Sequence, residues 1–466
     1  MNKLNSNSGV LIGSRIFTLD DQIQFSKFSG DLNPIHIDPI LARRTIAGKC
    51  IVYGVSAFMY AIDFLANYKG ITIDHFDVKF LKFIPLGIEI RFFWNEDKHE
   101  LSITSGNTIH TSAFITFSYI PKDGDISTIK SNKPLISPRN MTLQECSEIT
   151  EEDLIFRGDI EVGKLLFPSL FENYSEAFIA ELVSTSEIVG MEIPGLNSLF
   201  LSIKGYLLKT DSNSCYQVES CDLGSGILRL LLKGAYLKAQ IETIYRPFSK
   251  DSPSIHQIHK IVRLNEFKNV NALIIGGSRG IGEITSKIIA AGGGEVTLSY
   301  NLGKQDAEKL QKEISHFGGE CSIFQLDIED GINIPHSDFN QIYYFATPKI
   351  TPEDSGISDA NLKNVYQFYY VSAFHNLLTQ VLENNMPVSI FYPSSTFINN
   401  PSKMFAQYID AKLAGELLCQ EFINTKEMTI IFPRLPRLAT DQTLGLIPER
   451  LEDSIDVMYP YIQSMV

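Results

Sequence analysis

The chain has 466 residues, of which 44% are hydrophobic and 20% charged, a composition typical of globular proteins. This length predicts about three domains. The net charge of −14 argues against nucleic acid as a partner, and six scattered cysteines without paired ligand spacing argue against a metal site. The chain has no long apolar run and its first residues are polar, so we expect a cytoplasmic protein with no membrane contact.

Two stretches rich in Pro, Ser, Lys and Asp, residues 121–138 and 246–254, are predicted to be linkers. They divide the chain into three predicted domains, residues 1–125, 140–247 and 265–466. The first two share a plan, in which a mostly apolar helix precedes four strands of alternating polar and apolar residues. This plan predicts an antiparallel sheet wrapped around one helix in each half, with the two halves side by side.

In the first segment the helix is predicted over residues 52–68 and the strands over 71–83, 89–95, 101–105 and 108–119. In the second segment the helix is predicted over residues 173–187 and the strands over 198–210, 215–222, 226–233 and 235–245.

A candidate acid–base pair precedes the first predicted helix. Asp31 and His36 lie five residues apart with Asn33 and Pro34 between them. We expect the Asn-Pro step to prevent a regular helix, so that the loop turns both side chains toward one point. A carboxylate and an imidazole can together activate water or move protons at a C2–C3 bond. The alternative is an Asx-turn with a structural histidine.

This stretch, together with Ala42 to Arg44 and Ile51 to Gly54, resembles the MaoC-like (R)-specific enoyl-thioester hydratases, which have the hot-dog fold. The resemblance covers about residues 10–120. It implies that Asp31 and His36 are catalytic and that Asn33 orients the loop at the substrate site. It also implies that the backbone N–H of Gly54 binds the thioester oxygen.

The second segment has no histidine between Asp153 and Lys250. Its residues 189–198 resemble a loop found in hot-dog domains. We therefore expect a second hot-dog domain that completes the substrate tunnel without supplying an acid–base pair.

The third segment alternates short apolar strands with helical stretches, which predicts a Rossmann-type α/β fold with a doubly wound parallel sheet. The strands are predicted over residues 271–276, 295–300, 321–326, 341–345, 388–392 and 428–432. A glycine-rich turn follows the first strand and opens a helix. Gly276 permits the tight turn, Gly280 allows the backbone to approach a pyrophosphate, and Gly282 lets the helix pack against the strand.

A second motif follows the fifth strand of this segment. Ser395 precedes Tyr408 by thirteen residues, and Tyr408 and Lys412 are four apart, so they share one face of a helix. A lysine ammonium there is expected to lower the pKa of the phenol, which then passes a proton to a carbonyl oxygen held by the serine.

Together the two motifs resemble the short-chain dehydrogenase/reductase family over residues 270–445, closest to the 3-oxoacyl-thioester reductases. The resemblance implies Ser395, Tyr408 and Lys412 as the catalytic set, with Asp327 beside the adenine. The family's threonine is replaced by Ile275, and its helix asparagine would fall within residues 369–371, where none is present. The full set of predicted cofactor-binding residues is Gly276, Ser278, Arg279, Gly280, Ile281, Gly282, Asp327 and Ile328.

The cofactor is predicted to be NADP(H). An acidic residue after the second strand would bind a ribose 2′-hydroxyl and repel a 2′-phosphate. The strand here ends at Tyr300 and Asn301 without a carboxylate, and Arg279 can meet the phosphate instead.

The predicted function is a bifunctional acyl-thioester enzyme of fatty acid metabolism, an oxidoreductase fused to a lyase. The reductase would interconvert 3-oxoacyl and 3-hydroxyacyl thioesters, and the hydratase 3-hydroxyacyl and 2-enoyl thioesters, carried on coenzyme A or a carrier protein. By analogy with both families, a homo-oligomer is expected. Two alternatives stay open: that one module is active and the other a binding or structural platform, or that the protein is a non-enzymatic assembly subunit.

Overall fold

The computed structural model describes residues 9–70, 72–117, 134–210, 212–246, 252–335, 338–350, 360–384, 388–423, 428–440, 443 and 451–466. The described residues up to 246 form one compact unit and those from 252 onward form a second. Most of the first predicted linker and the centre of the second lie outside the described residues. Within them, no helix has the length and apolar character needed to cross a membrane.

The N-terminal unit contains ten strands and eight α-helices within its described residues. The strands are β1 (Val10–Ile16), β2 (Ile73–Phe80), β3 (Glu89–Asn95), β4 (Glu100–Ser105), β5 (Thr108–Phe117), β6 (Glu151–Asp153), β7 (Ser198–Leu207), β8 (Cys215–Cys221), β9 (Ile227–Lys233) and β10 (Leu237–Tyr245). The helices are α1 (Leu19–Ser29), α2 (Pro34–Ile37), α3 (Pro39–Ala42), α4 (Gly54–Lys69), α5 (Leu143–Glu148), α6 (Ile160–Leu166), α7 (Pro168–Asn173) and α8 (Glu176–Glu187).

The ten strands form one sheet in the order β1-β3-β4-β5-β2-β7-β10-β9-β8-β6, and every neighbouring pair is antiparallel. Each half contains one long helix followed by four strands, α4 with β2–β5 and α8 with β7–β10, and β1 and β6 lie at the two edges of the sheet. The halves join where β2 pairs with β7. Because a single hydrophobic core also runs through both halves, the two predicted N-terminal domains form one compact unit.

The two long helices are buried along most of their length because their apolar residues cover more than one face. Helix α4 ends at Lys69 and is capped by Gly70, which adopts the left-handed conformation. Helix α8 begins later than predicted, because Ser175 caps it by accepting a hydrogen bond from the Phe178 amide and Asn173 belongs to α7. A π-helical turn, Ile188–Glu192, extends α8, so part of the stretch predicted as a loop is helical.

The C-terminal unit alternates strands and helices. Its strands are β11 (Asn271–Ile275), β12 (Glu295–Tyr300), β13 (Cys321–Gln325), β14 (Gln341–Tyr344), β15 (Val388–Phe391), β16 (Ser394–Ser395), β17 (Met428–Ile431) and β18 (Arg434–Leu435). Its helices are α9 (Ile255–Ile258), α10 (Gly280–Ala291), α11 (Lys304–Phe317), α12 (Ala360–Gln367), α13 (Ala373–Glu383), α14 (Ala406–Phe422) and α15 (Ser454–Gln463). A π-helical turn, Phe368–Ser372, joins α12 to α13.

Six of these strands form a parallel sheet in the order β13-β12-β11-β14-β15-β17. One hydrophobic cluster contains residues of α10, α11 and α15, and another contains residues of α13 and α14. The predicted doubly wound parallel sheet is therefore confirmed. The strand order reverses between β11 and β14, and in such sheets ligands bind beyond the carboxyl ends of the strands at this point.

Candidate active sites

The glycine-rich turn after β11 has the close packing that its sequence predicts. Gly276 and Gly280 have positive φ values of 79° and 57°. A Cβ atom on Gly282 would lie 2.3 Å from the carbonyl oxygen of Gly276, so the start of α10 lies directly against the end of β11. The Gly276 amide donates to Ser299 Oγ at 3.0 Å, which ties the turn to β12.

The turn presents the N-terminus of α10, a helix of 12 residues. The amides of its first residues, Gly280, Ile281 and Gly282, have no acceptor within the helix and lie at its positive end. Arg279 immediately precedes the helix, and Ser278 is buried beside it. These groups could hold the phosphates of a dinucleotide, because donors and positive charge converge there.

Two further predicted cofactor residues follow β13. The carboxylate of Asp327 accepts the Glu329 amide at 3.0 Å and caps a single helical turn. The side chain of Ile328 is buried in the core beneath the sheet. Ile328 could therefore contact a cofactor through its backbone, while its side chain packs in the hydrophobic core.

The structure brings Ser395, Tyr408 and Lys412 together. Ser395 ends the short strand β16, and its hydroxyl is hydrogen-bonded to the Tyr408 phenol. Tyr408 and Lys412 lie one turn apart on α14, and both are buried. Lys412 Nζ donates to the carbonyl oxygen of Pro393 at 2.6 Å and lies 5.9 Å from the centre of the Tyr408 ring.

The expected effect of Lys412 on the Tyr408 pKa is not what the structure shows. Burial raises the pKa of Tyr408 to about 12, and the hydrogen bond with Ser395 only partly opposes it. Burial lowers the pKa of Lys412 to about 7. The reason for the difference is desolvation, which disfavours the charged form of each group. Tyr408 is consequently a protonated phenol at neutral pH, the form that can donate a proton.

An aromatic residue stands where the family's asparagine would fall. The π-helical turn places the Tyr370 ring 3.9 Å from Lys412 Nζ, a cation–π contact. The Tyr370 hydroxyl is hydrogen-bonded to Thr347 Oγ1 at 2.5 Å. The sequence did not identify Tyr370 as a site residue, because its distance along the chain from Lys412 gives no spacing signal.

In the N-terminal unit, the loop that carries the acid–base pair differs from its prediction. Pro34 does not interrupt a helix but begins one, α2, with Asn33 as its N-cap. The physical reason is that proline fits the first position of a helix, where no amide hydrogen bond is lost. His36 therefore lies on a one-turn helix, and Asp31 lies in the segment between α1 and α2.

Asp31, His36 and Gly54 line one cavity of about 80 Å³. The Asp31 carboxylate accepts hydrogen bonds from the Asn33 amide at 3.0 Å and the Ser186 hydroxyl at 2.7 Å. Burial nevertheless raises the pKa of Asp31 to about 7 and lowers the pKa of His36 to about 4. At neutral pH the histidine is uncharged, and the carboxyl group is close to half-protonated.

The His36 ring has a fixed orientation and tautomer. Its Nδ1 lies 2.9 Å from the carbonyl oxygen of Ile51, so Nδ1 carries the proton and Nε2 is the basic nitrogen. The ring stacks on Tyr53, with ring centres 3.8 Å apart. Tyr53 in turn donates its hydroxyl proton to the Asp31 carbonyl oxygen at 2.6 Å, so one aromatic side chain contacts both members of the pair.

The second half of the N-terminal unit was expected to complete the substrate site without an acid–base pair, but the sequence did not identify which of its residues contact Asp31. Ser186, near the end of α8, holds the Asp31 carboxylate. A Cβ atom on Gly190 would lie 2.4 Å from Asp31 Oδ1, so only glycine allows this approach. The second half thus provides the wall against which Asp31 is packed.

Asn33, which the resemblance implies to orient the loop at the substrate site, makes its contacts with the second half of the N-terminal unit. Its side-chain amide donates to the carbonyl oxygens of Gly190 and Gly195 at 3.1 and 3.2 Å, and its Oδ1 accepts the Ile35 amide. Asn33 is not among the residues that line the cavity. Its side-chain amide links the two halves of the N-terminal unit, so Asn33 holds the loop in place without lining the cavity.

No family model matches the chain. An uncharacterized oxidoreductase of Escherichia coli (strain K12), YgfF, is 37% identical over 59 residues, which are 13% of this chain and 24% of that protein. The chain thus matches about a quarter of the length of this relative.

Several solved structures are similar to the chain. FolM alternative dihydrofolate reductase 1 of Brucella suis, in complex with NADP, is 17% identical with a TM-score of 0.31, over 36% of this chain and 72% of that one. Acetoin dehydrogenase YohF of Salmonella typhimurium is 13% identical with a TM-score of 0.36, over 42% and 89%. A short-chain dehydrogenase of Salmonella enterica serovar Typhi is 16% identical with a TM-score of 0.38, over 44% and 92%. The neighbours are thus dehydrogenases and reductases that cover 36–44% of the chain, and likeness at this level carries no detail of its reaction.

Proposed function

We propose that the C-terminal unit is an NADP(H)-dependent carbonyl reductase of the short-chain type, acting on a 3-oxoacyl thioester. The observation that carries this proposal is the buried cluster of Ser395, Tyr408 and Lys412 beyond the carboxyl ends of the parallel strands. The glycine-rich turn that ends β11 supports a dinucleotide as the second reactant, because its packing leaves no room for a Cβ atom at Gly282.

The residues present fit the proposed cofactor. The first amides of α10 and the side chain of Arg279 would hold its phosphates, and Asn301, at the end of β12, presents no carboxylate that would repel a 2′-phosphate. Bound NADPH would supply a hydride to the carbonyl carbon. Tyr408 donates its phenolic proton to the carbonyl oxygen, which Ser395 holds by a hydrogen bond. The Lys412 ammonium stabilises the phenolate that Tyr408 becomes.

The test is the oxidation of NADPH with acetoacetyl-CoA, followed by absorbance, in the wild type and in Tyr408→Phe. Removing the phenolic proton should lower kcat by roughly 10²–10⁴-fold, the usual value of general acid catalysis. NADPH binding, measured by fluorescence, should be retained. A Tyr408→Phe variant with nearly wild-type turnover would show that the proton comes from elsewhere.

We propose a second activity for the N-terminal unit, the interconversion of 3-hydroxyacyl and 2-enoyl thioesters in a double hot-dog fold. It is supported by the cavity that Asp31, His36 and the first residue of α4 share. During dehydration, His36 Nε2 takes a proton from C2, and protonated Asp31 gives its proton to the departing C3 hydroxyl, which leaves as water. The Gly54 amide at the start of α4 would bind the thioester oxygen.

The second test is hydration of crotonyl-CoA, followed by the loss of enoyl absorbance. His36→Ala and Asp31→Asn should each lower the rate by roughly 10²–10⁴-fold, because neither partner alone can move both protons. The same variants should still reduce acetoacetyl-CoA with NADPH, because Tyr408 lies in the other compact unit. Hydration that persists in both variants would remove the cavity from the chemistry and leave the N-terminal unit as a platform.

A further inference from the structure

Glu416 continues the line of functional residues on α14. Tyr408, Lys412 and Glu416 follow one another at intervals of four, so they lie on one face of the helix. The Glu416 side chain is buried, and its Oε1 accepts the Ser394 hydroxyl at 2.5 Å. Ser394 immediately precedes Ser395 on β16.

Arg434 completes the contacts of Glu416. Its guanidinium donates to both carboxylate oxygens, Nε to Oε1 at 2.8 Å and Nη2 to Oε2 at 2.7 Å. Arg434 lies on β18, which pairs with β16 so that Ser394 is opposite Arg434 and Ser395 is opposite Leu435. This bidentate ion pair therefore joins α14 to the strand pair that carries Ser395.

The surroundings of Lys412 are poor in compensating charge. Besides the carbonyl oxygen of Pro393, its ammonium faces the rings of Tyr370, Tyr392 and Tyr408 at 3.9, 5.0 and 5.9 Å. Desolvation lowers the pKa of Lys412, and the groups that oppose this are Cys419 and Glu416. Cys419 is buried and burial raises the pKa of its thiol to about 12, so Glu416 is the group that carries a negative charge at neutral pH.

We propose that Glu416 is a positioning residue of the reductase site, which keeps Lys412 protonated and holds the strand of Ser395 in place through Ser394 and Arg434. The proposal rests on the reductase function proposed above. The charge of Glu416 acts on Lys412, whereas its hydrogen bonds act on β16. The two effects can be separated, because replacing Arg434 loosens the strand contacts without removing the carboxylate.

The experiment compares Glu416→Gln with Arg434→Gln and with Glu421→Gln, which makes the same chemical change at an exposed position of the same helix. The first readout is the pH profile of kcat for NADPH oxidation with acetoacetyl-CoA. The second is the ¹⁵N NMR titration of Lys412 in lysine-labelled protein, assigned with Lys412→Met. The second readout needs no turnover.

In Glu416→Gln the Lys412 titration and the alkaline limb of the profile should both move to lower pH by ~1 unit, because an opposite charge has been removed. The ratio of kcat at pH 8 to that at pH 6 then falls roughly fivefold, and the two proteins converge at low pH. In Arg434→Gln, kcat should fall at every pH without an acid shift, because the change removes a positive charge. Glu421→Gln should behave as the wild type.

A Glu416→Gln profile without an acid shift would overturn the proposal, as would an equal acid shift in Arg434→Gln, which would point to general loosening of the site. If the wild type reduces no 3-oxoacyl thioester, the proposed function fails on its own. The NMR titration of Lys412 then still decides whether Glu416 controls its protonation.

Discussion

We expect the charge of Arg279 to decide between the two nicotinamide dinucleotides. Arg279 immediately precedes α10, and the residue after β12 is not a carboxylate that would bind a ribose 2′-hydroxyl. We expect Arg279→Ala to weaken NADPH binding by roughly 10-fold or more, the equivalent of one charge-assisted hydrogen bond, and to leave NADH binding nearly unchanged. Fluorescence titration with each cofactor measures both affinities.

The matched control is Arg263→Ala, which removes an exposed arginine from the same unit. It should change neither affinity by more than a small factor. Equal weakening of NADPH and NADH in Arg279→Ala would mean that the guanidinium contacts a group common to both cofactors, and the preference for NADP(H) would lose its basis.

At the scale of single residues, spacing along the chain decided what could be predicted. Tyr408 and Lys412 could be identified because four residues bring side chains together on one helix. Ser186 could not, because it reaches Asp31 from 155 residues away. Glu416 also lies four residues after Lys412 on the same helix, so its position could be found from the sequence. Its role could not, because it depends on the ion pair with Arg434, which the fold brings close.

At the scale of elements, the segment from α1 to α2 holds two groups whose burial acts in opposite directions. The folded state keeps a proton on Asp31 up to about pH 7, although the carboxyl group has an ordinary pKa of 3.8, so stability falls as pH rises between these values. His36 titrates at about 4 when folded and at 6.5 ordinarily, so stability rises with pH between these values. Between about pH 4 and 6.5 the two contributions largely cancel.

Asp31→Asn removes the contribution of Asp31 to the pH dependence of stability, so that the contribution of His36 is no longer cancelled. We expect the stability of the N-terminal unit to rise with pH, relative to the wild type, by roughly 1.4 kcal/mol per pH unit between pH 4 and 6.5. Urea unfolding followed by tryptophan fluorescence is the measurement, because the chain has one tryptophan, Trp94, which is buried on β3.

His36→Gln is the complementary variant, and its stability should fall with pH over the same range because only the Asp31 contribution remains. Parallel pH profiles in the wild type and both variants would contradict the assignment of these protons to Asp31 and His36.

Alternation and apolar content closely predicted eight of the ten strands of the N-terminal sheet and the six strands of the parallel sheet, since a half-buried or fully buried strand has a characteristic sequence pattern. The strands β1 and β6, at the two edges of the N-terminal sheet, were not predicted. Other errors lie at helix starts. Residues 173–175 were predicted to be helical, because the capping role of Ser175 depends on its hydrogen bond with the Phe178 amide. Pro34, in contrast, was predicted to prevent a helix although it begins one.

At the scale of the whole molecule, the chain was predicted to form three domains and forms two compact units. Composition located the second linker, whose described ends lie at the boundary between the units. It could not show that β2 and β7 pair, because strand pairing across a long connection leaves no local signal. The pairing merges two separately predicted halves into a single sheet and a single core.

The pairing of β2 with β7 also bears on how the N-terminal unit could change over time. Two identical subunits joined across such strands would have to alter both copies of a site at once, since every substitution appears twice. Here the two copies of the helix-and-four-strand plan lie on one chain, so each can vary alone. The first copy accordingly contains Asp31 and His36, and the second, which has no histidine over its strands, contributes Ser186 and Gly190 to the packing around Asp31.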